Sequence, residues 1–172
     1  MLFGHSSGLA IEAVPGPEAG LPRFVGSSLA GRMQVHLAGR IVGDFNEPCC
    51  VFRPLADHLT TICACSAGLW HESLDGLRPY EMFESLDRAC FQGQKEPYPA
   101  VFNLMGFLTN VSECFNNAKG FVVAPKPGVL LTLVQLQDDV FFSCEITVAE
   151  WCAASASFAA WLLDEERAHA AG

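Results

Sequence analysis

Larger apolar groups alternate with smaller or polar ones from Leu29 to Leu37. Leu29, Gly31, Met33, Val35 and Leu37 fall on one side, and Ala30, Arg32, Gln34 and His36 on the other. That period of two predicts a strand. Ala38-Gly39 then reads as a two-residue turn, after which Arg40 to Asp44 returns as a second strand. Leu9 to Val14 precedes them as a further strand, stopped by Pro15-Gly16-Pro17. The period then lengthens. Pro54 suits a first helical turn, and Leu55, Leu59 and Ile62 recur at helical spacing up to Gly68. From Pro79, at about 100° per residue, Met82, Phe83, Leu86, Ala89 and Cys90 share one helical face. Glu81, Glu84, Asp87 and Arg88 share the opposite face.

Residues 92–99 read as loop, and residues 100–118 carry no clear period. Beyond Gly120 the apolar runs 121–124, 129–136 and 140–146 predict three strands, separated by turns at 125–128 and 137–139. Thr147 and Glu150 have capping-box spacing and open a helix to about Arg167. Its expected core face is Trp151, Cys152, Ser155, Phe158, Ala159, Leu162 and Leu163, and His169 to Gly172 are expected to fray. The order βββ, αα, an unread stretch, βββ, α lacks regular βαβ alternation. It predicts an α+β fold: a single domain over residues 1–172, with a largely antiparallel sheet of about six strands and about three helices packed on it.

Composition narrows the function. Of the 172 residues 51% are hydrophobic and 17% charged, so a real core is expected. No apolar run approaches the roughly 20 residues of a membrane span, and Met1 to Ser6 carries no Lys or Arg of a secretory leader. A cytoplasmic protein without a membrane partner is expected. Ten basic against nineteen acidic residues, a formal charge of −9, speaks against a nucleic-acid partner and fits a basic protein one. The eight cysteines (49, 50, 63, 65, 90, 114, 144 and 152) sit mostly among apolar neighbours and read as reduced core residues.

Candidate chemistry is sparse. Gly4-His5-Ser6-Ser7-Gly8 spells a nucleophile elbow, but three residues precede it and a strand pattern follows where the elbow needs a helix. A small hydrolase using Ser6 is kept only as an alternative. Cys63 and Cys65 would point about 200° apart on a helix, and none of the five histidines shows metal-site spacing. No metal, cofactor or catalytic residue is assigned, and the protein is expected not to be an enzyme. Trp161 stands at the edge of its helix's apolar stripe among alanines, as an interface anchor would. With Glu81, Glu84 and Asp87 it forms the candidate partner-binding set, and Trp161→Ala is expected to weaken binding while leaving the fold intact. A structural or homo-oligomerisation module is the other alternative, and homodimerisation is left open.

Five segments carry a family resemblance. They are Met1-Leu2-Phe3-Gly4 with the strand at 9–14, Ala38-Gly39-Arg40-Ile41-Val42-Gly43-Asp44, Pro79-Tyr80-Glu81-Met82-Phe83-Glu84-Ser85-Leu86, Cys114 to Val123, and the helix from Thr147 to Leu163. Together they resemble an immunity-protein family of bacterial polymorphic toxin systems, across most of the chain. The resemblance implies a protein that binds and neutralises a cognate toxin, and it supplies no catalytic residue.

Overall fold

The computed structural model describes residues 1–16, 22–47, 50–92, 99–109 and 111–171. Pro17, Cys49, most of the loop expected at 92–99, and Gly172 lie outside the described residues. The fold is α+β with antiparallel pairing, in two sheets. The first contains β1 (Leu2–Gly4), β2 (Leu9–Pro15), β3 (Phe24–Val25), β4 (Ser28–Leu37), β5 (Arg40–Val42) and β6 (Cys50–Val51). β4 is its hub and pairs with β2, β3, β5 and β6. The second sheet is a meander of β7 (Ala118–Lys126), β8 (Val129–Leu136) and β9 (Phe141–Thr147). One sheet of about six strands was expected. The extra strands β1, β3 and β6 are two or three residues long, too short to show a period of their own.

The β4–β5 turn falls at Ala38-Gly39 as predicted. Both residues have positive φ, 48° and 82°, as the primed hairpin turns require. The turn expected at 125–128 is shorter, because β7 runs through an irregularity between Val123 and Lys126 and ends at Lys126.

The helices are α1 (Arg53–Cys65), α2 (Pro79–Phe91), the single turn α3 (Phe102–Met105) and α4 (Val148–Ala170). α4 opens on the predicted capping box. The Glu150 N–H donates to Thr147 Oγ1 at 3.1 Å, and the Thr147 N–H donates to the Glu150 carboxylate at 3.1 Å. The helix continues past the fraying point expected from the sequence, and the His169 ring stacks on Phe24 with centroids 3.7 Å apart.

α1 and α4 pack on each other, and Trp151 is the centre of that joint. It is fully buried, its indole N–H donates to the Leu59 carbonyl at 3.2 Å, and its ring meets Phe107 at 4.9 Å. Phe158 lies beneath Phe3 and Phe52, at 5.4 and 6.2 Å, joining α4 to the first sheet and to the entry of α1. Near its C-terminal end α4 is clipped by ion pairs from Arg23 to Glu165 and from Arg53 to Glu166.

A disulfide joins Cys63 of α1 to Cys152 of α4, with Cα atoms 5.4 Å apart. This corrects the reading of these two cysteines as reduced. Each falls on the face its helix turns to the other, a juxtaposition made by folding and invisible in local spacing. Closing a loop of sequence separation 89 restricts the unfolded chain and stabilises the fold by about 2–4 kcal/mol. Cys152→Ser, or reduction of the folded protein, is therefore expected to lower the melting temperature by roughly 5–15 °C. Calorimetry with and without reductant measures it. Ready alkylation of Cys152 in unreduced protein would contradict the bridge.

Candidate functional site

α2 packs on β8 and β9, with Met82, Phe83, Leu86 and Ala89 turned inward as its period predicts. Phe83 meets Phe121 at 5.4 Å and Phe141 at 5.7 Å. This packing sets the outward face of α2 beside the turn that joins β8 to β9. Tyr80 is 45% exposed and rests edge-on against Phe141 at 5.2 Å. Its phenol pKa is raised, first by the negative charge of Glu84 and further by that of Asp139. The carboxylate of the helix and that of the turn thus converge on one aromatic ring. Val140, 46% exposed, adds an apolar group next to Asp138 and Asp139. The result is an acidic surface with an aromatic centre. Gln135 lies at the junction of its two shallow hollows, of about 270 and 310 Å3, and donates to Asp139 at 3.3 Å.

The four sequence candidates fare differently. Glu84 is exposed on this surface and has no cationic partner among the described residues. Glu81 is occupied by its own helix start: the Arg78 N–H and guanidinium each donate to it at 2.8 Å, holding its carboxyl below the usual range. Asp87 departs from the expected solvated face. It is buried, accepting from Lys119 of β7 at 2.7 Å and from Gln92 at 2.8 Å. Helical angle alone placed it outward, but a cation from β7 covers it.

Trp161 belongs elsewhere in the molecule. Its ring packs on Phe3 at 5.1 Å and on Phe52 and Phe158 at 5.9 Å, and its indole N–H has no acceptor among the described residues. The segments covering it are β1 and the start of α1. The structure therefore does not bring Trp161 together with the α2 carboxylates. Sequence reasoning missed Tyr80, Asp139 and Val140 as one group with Glu84. The available signals were the i, i+4 spacing of Tyr80 and Glu84 and the acidic turn.

Ser6 sits in the exposed turn between β1 and β2, where its carbonyl accepts the Gly39 N–H at 2.6 Å. A strand, not a helix, follows it, so the nucleophile-elbow geometry is absent. His58 is held by the Gly106 carbonyl. A cleft of about 330 Å3 is lined mainly by Ala67, Trp70, Ala124, Pro125, Pro127 and Val129. Its Lys126 is engaged by Glu145 at 3.0 Å. Among the described residues no group of His, Cys, Asp and Glu could hold a metal ion. No helix there is long and apolar enough to cross a membrane.

The fold has a solved counterpart. A crystal structure of CdiI, a contact-dependent inhibition immunity protein, from Burkholderia dolosa AUO158 superposes with a TM-score of 0.68. The match covers 93% of this chain and 99% of that one, at 11% sequence identity. At that identity the likeness is one of fold. No protein-family model matches the chain, and no curated protein matches it in sequence.

On the outer face of the first sheet, Glu12 accepts from Gln34 at 2.6 Å and pairs with His36 Nε2 at 3.0 Å. The hydrogen bond with His36, then that with Gln34, holds the Glu12 carboxyl below its usual range. A carboxyl with a lowered folded pKa stabilises the fold above its unfolded value, near 4.3, and loses that contribution as pH falls through the folded value. The stability gap between wild type and Glu12→Gln is therefore expected to be full at pH 6 and to close below about pH 4. Denaturant melts across that range measure it, and a gap that widens with acid would contradict it. Asp87→Ala is expected to cost about 1–3 kcal/mol, because Lys119 loses its buried partner; urea melts provide the check.

Proposed function

We propose that this chain is an immunity protein that binds a cognate bacterial toxin and blocks it by protein–protein contact, acting in the cytoplasm and by binding rather than by chemistry. The observation that carries the reading is the fold shared with CdiI over nearly the whole of both chains. The same family is indicated independently by the motif resemblance along the sequence. The formal charge of −9 and the open acidic surface fit a toxin whose working cleft is basic, since complementary charge speeds encounter and fixes register.

Within that reading, Glu84 with Asp138, Asp139, Tyr80 and Val140 form the docking surface. Tyr80 supplies an exposed aromatic anchor that docking would bury, and the carboxylates supply the charge. Glu81 and Asp87 support it from within: Glu81 caps the start of α2, and Asp87 ties α2 to β7 through Lys119. Trp161 serves as a packing residue that holds α4 against β1 and α1. Trp161→Ala is then expected to lower stability by about 2–4 kcal/mol, which replaces the expectation that this variant leaves the fold intact.

The test is a rescue assay. Each toxin-like reading frame beside the gene is expressed in a bacterial host with and without this protein, and survival is counted. Survival only when both are present, with a co-purifying complex, is the expected result. No rescue by a well-folded protein would overturn the reading. For the surface, the double variant Glu84→Lys, Asp138→Lys is expected to lose at least roughly tenfold in affinity, mainly through slower association, with its melting temperature nearly unchanged. Unchanged association kinetics would move the docking surface elsewhere.

A further inference from the structure

The hollow of about 310 Å3 between the entry of β7 and the β8–β9 turn forms one end of the acidic surface. Two segments that the backbone holds together make its walls. The Gln137 N–H donates to the Asn117 carbonyl at 2.8 Å, and Ala118 and Lys119 pair with Leu136 and Gln135. Asp139 borders the hollow from the turn. Its backbone is left-handed, at φ 58°, and its N–H donates to the Leu136 carbonyl at 3.0 Å. Asp tolerates that conformation, so the turn fixes where its carboxylate stands.

Oxygen acceptors in these walls are left open. Gln135 donates its amide N–H to one Asp139 oxygen at 3.3 Å. The Gln135 side-chain oxygen and the second Asp139 oxygen then have no donor among the described residues. Asn117 Oδ1 is buried and has none either. The Asn117 side chain makes no hydrogen bond among the described residues, so turning its oxygen towards the hollow breaks none. A buried oxygen without a donor costs stability and calls for a reason. Lys119, the cation of the lining, is occupied: its ammonium pairs with buried Asp87 at 2.7 Å and lies 5.7 Å from the centre of the Phe91 ring. The charge left to the hollow is that of Asp139.

We infer that this hollow is a guanidinium subsite, which takes one arginine side chain of a partner protein; that the partner is the toxin rests on the immunity reading above. A guanidinium is planar, always charged and carries five N–H donors in a fixed fork. Asp139, Gln135 and Asn117 offer acceptors from three positions around one space, which such a fork can meet together. The bonds to Asp139 are charge-assisted and supply most of the strength. A lysine ammonium is a compact, strongly hydrated point charge that gains less from acceptors so placed. Gln135 also borders the hollow that contains Tyr80 and Glu84, so an arginine seated here sets its own chain against that surface.

The experiment titrates the folded, full-length protein with N-acetyl-arginine amide, and separately with the lysine and citrulline counterparts, following the side-chain amide signals of Gln135 and Asn117 by NMR. Saturable shifts are expected with the arginine compound, affinity lower by at least roughly tenfold with the lysine compound, and no saturation with neutral citrulline. Asp139→Asn removes the charge while keeping a residue that tolerates the left-handed turn, and is expected to weaken arginine binding roughly tenfold. Asn117→Ala is expected to weaken it as well, with a melting temperature unchanged or raised because the donorless oxygen is gone. No saturation with the arginine compound, equal affinity for the lysine compound, or undiminished binding in both variants would overturn the inference. The titration contains no toxin. Its failure therefore strikes the subsite and leaves the immunity reading to the rescue assay, whereas arginine binding without rescue strikes the immunity reading alone.

Discussion

The joint between α1 and α4 is the constraint on which the rest of the molecule depends. Trp151 is completely enclosed there, and its one polar atom is satisfied by the Leu59 carbonyl across the interface. An indole buried in this way contributes a large apolar surface and fixes the relative rotation of two helices, because its N–H has one acceptor within reach. Phe107 on one side brings in the segment after α3, and Phe158 two turns further along α4 reaches Phe3 and Phe52. The disulfide between Cys63 and Cys152 closes the same joint covalently, one residue beyond Trp151. With α4 fixed, its C-terminal carboxylates reach Arg23 and Arg53, and the first sheet is held against the helical layer.

The second sheet meets the helical layer through a different helix, and that division shapes the surface. α2 uses its apolar stripe on Phe121 and Phe141, so its polar stripe lies beside the β8–β9 turn. Carboxylates that are far apart in sequence then surround Tyr80. Glu84 forms no ion pair among the described residues, although Arg88 lines the same hollow, and the Glu84 carboxylate is left to meet an incoming basic group. Asp87 shows the opposite arrangement on the same helix, buried and paired with Lys119. The contrast separates an exposed carboxylate, open to a partner, from one committed to packing.

Long periodic elements were legible in the sequence. The pairing of β4 with β5, the three strands of the meander, the inward face of α2 and the cap of α4 all follow from local pattern and turn chemistry. What was not legible depends on contacts between distant segments. Residues 100–118 showed no period because Phe102, Met105, Phe107 and Leu108 are buried by one-turn and irregular structure, and Gly106 bridges to Phe121. Trp161 looked like a surface anchor because Phe3 and Phe52, which cover it, lie more than a hundred residues earlier in the chain. The Cys63–Cys152 bridge was hidden for the same reason. Of the proposed docking surface, Glu84 was visible from its helical face, but its union with Tyr80 and Asp139 required the packing of α2 on β9.

The central claim is that this acidic α+β protein acts by seizing a basic toxin. The measurement that tests it most directly is the affinity of the purified protein for the toxin encoded beside its gene, determined by calorimetry at low and at physiological salt. A tight one-to-one complex whose affinity falls as salt rises is expected. Absence of binding at both salt concentrations, with each protein shown to be folded, would contradict it.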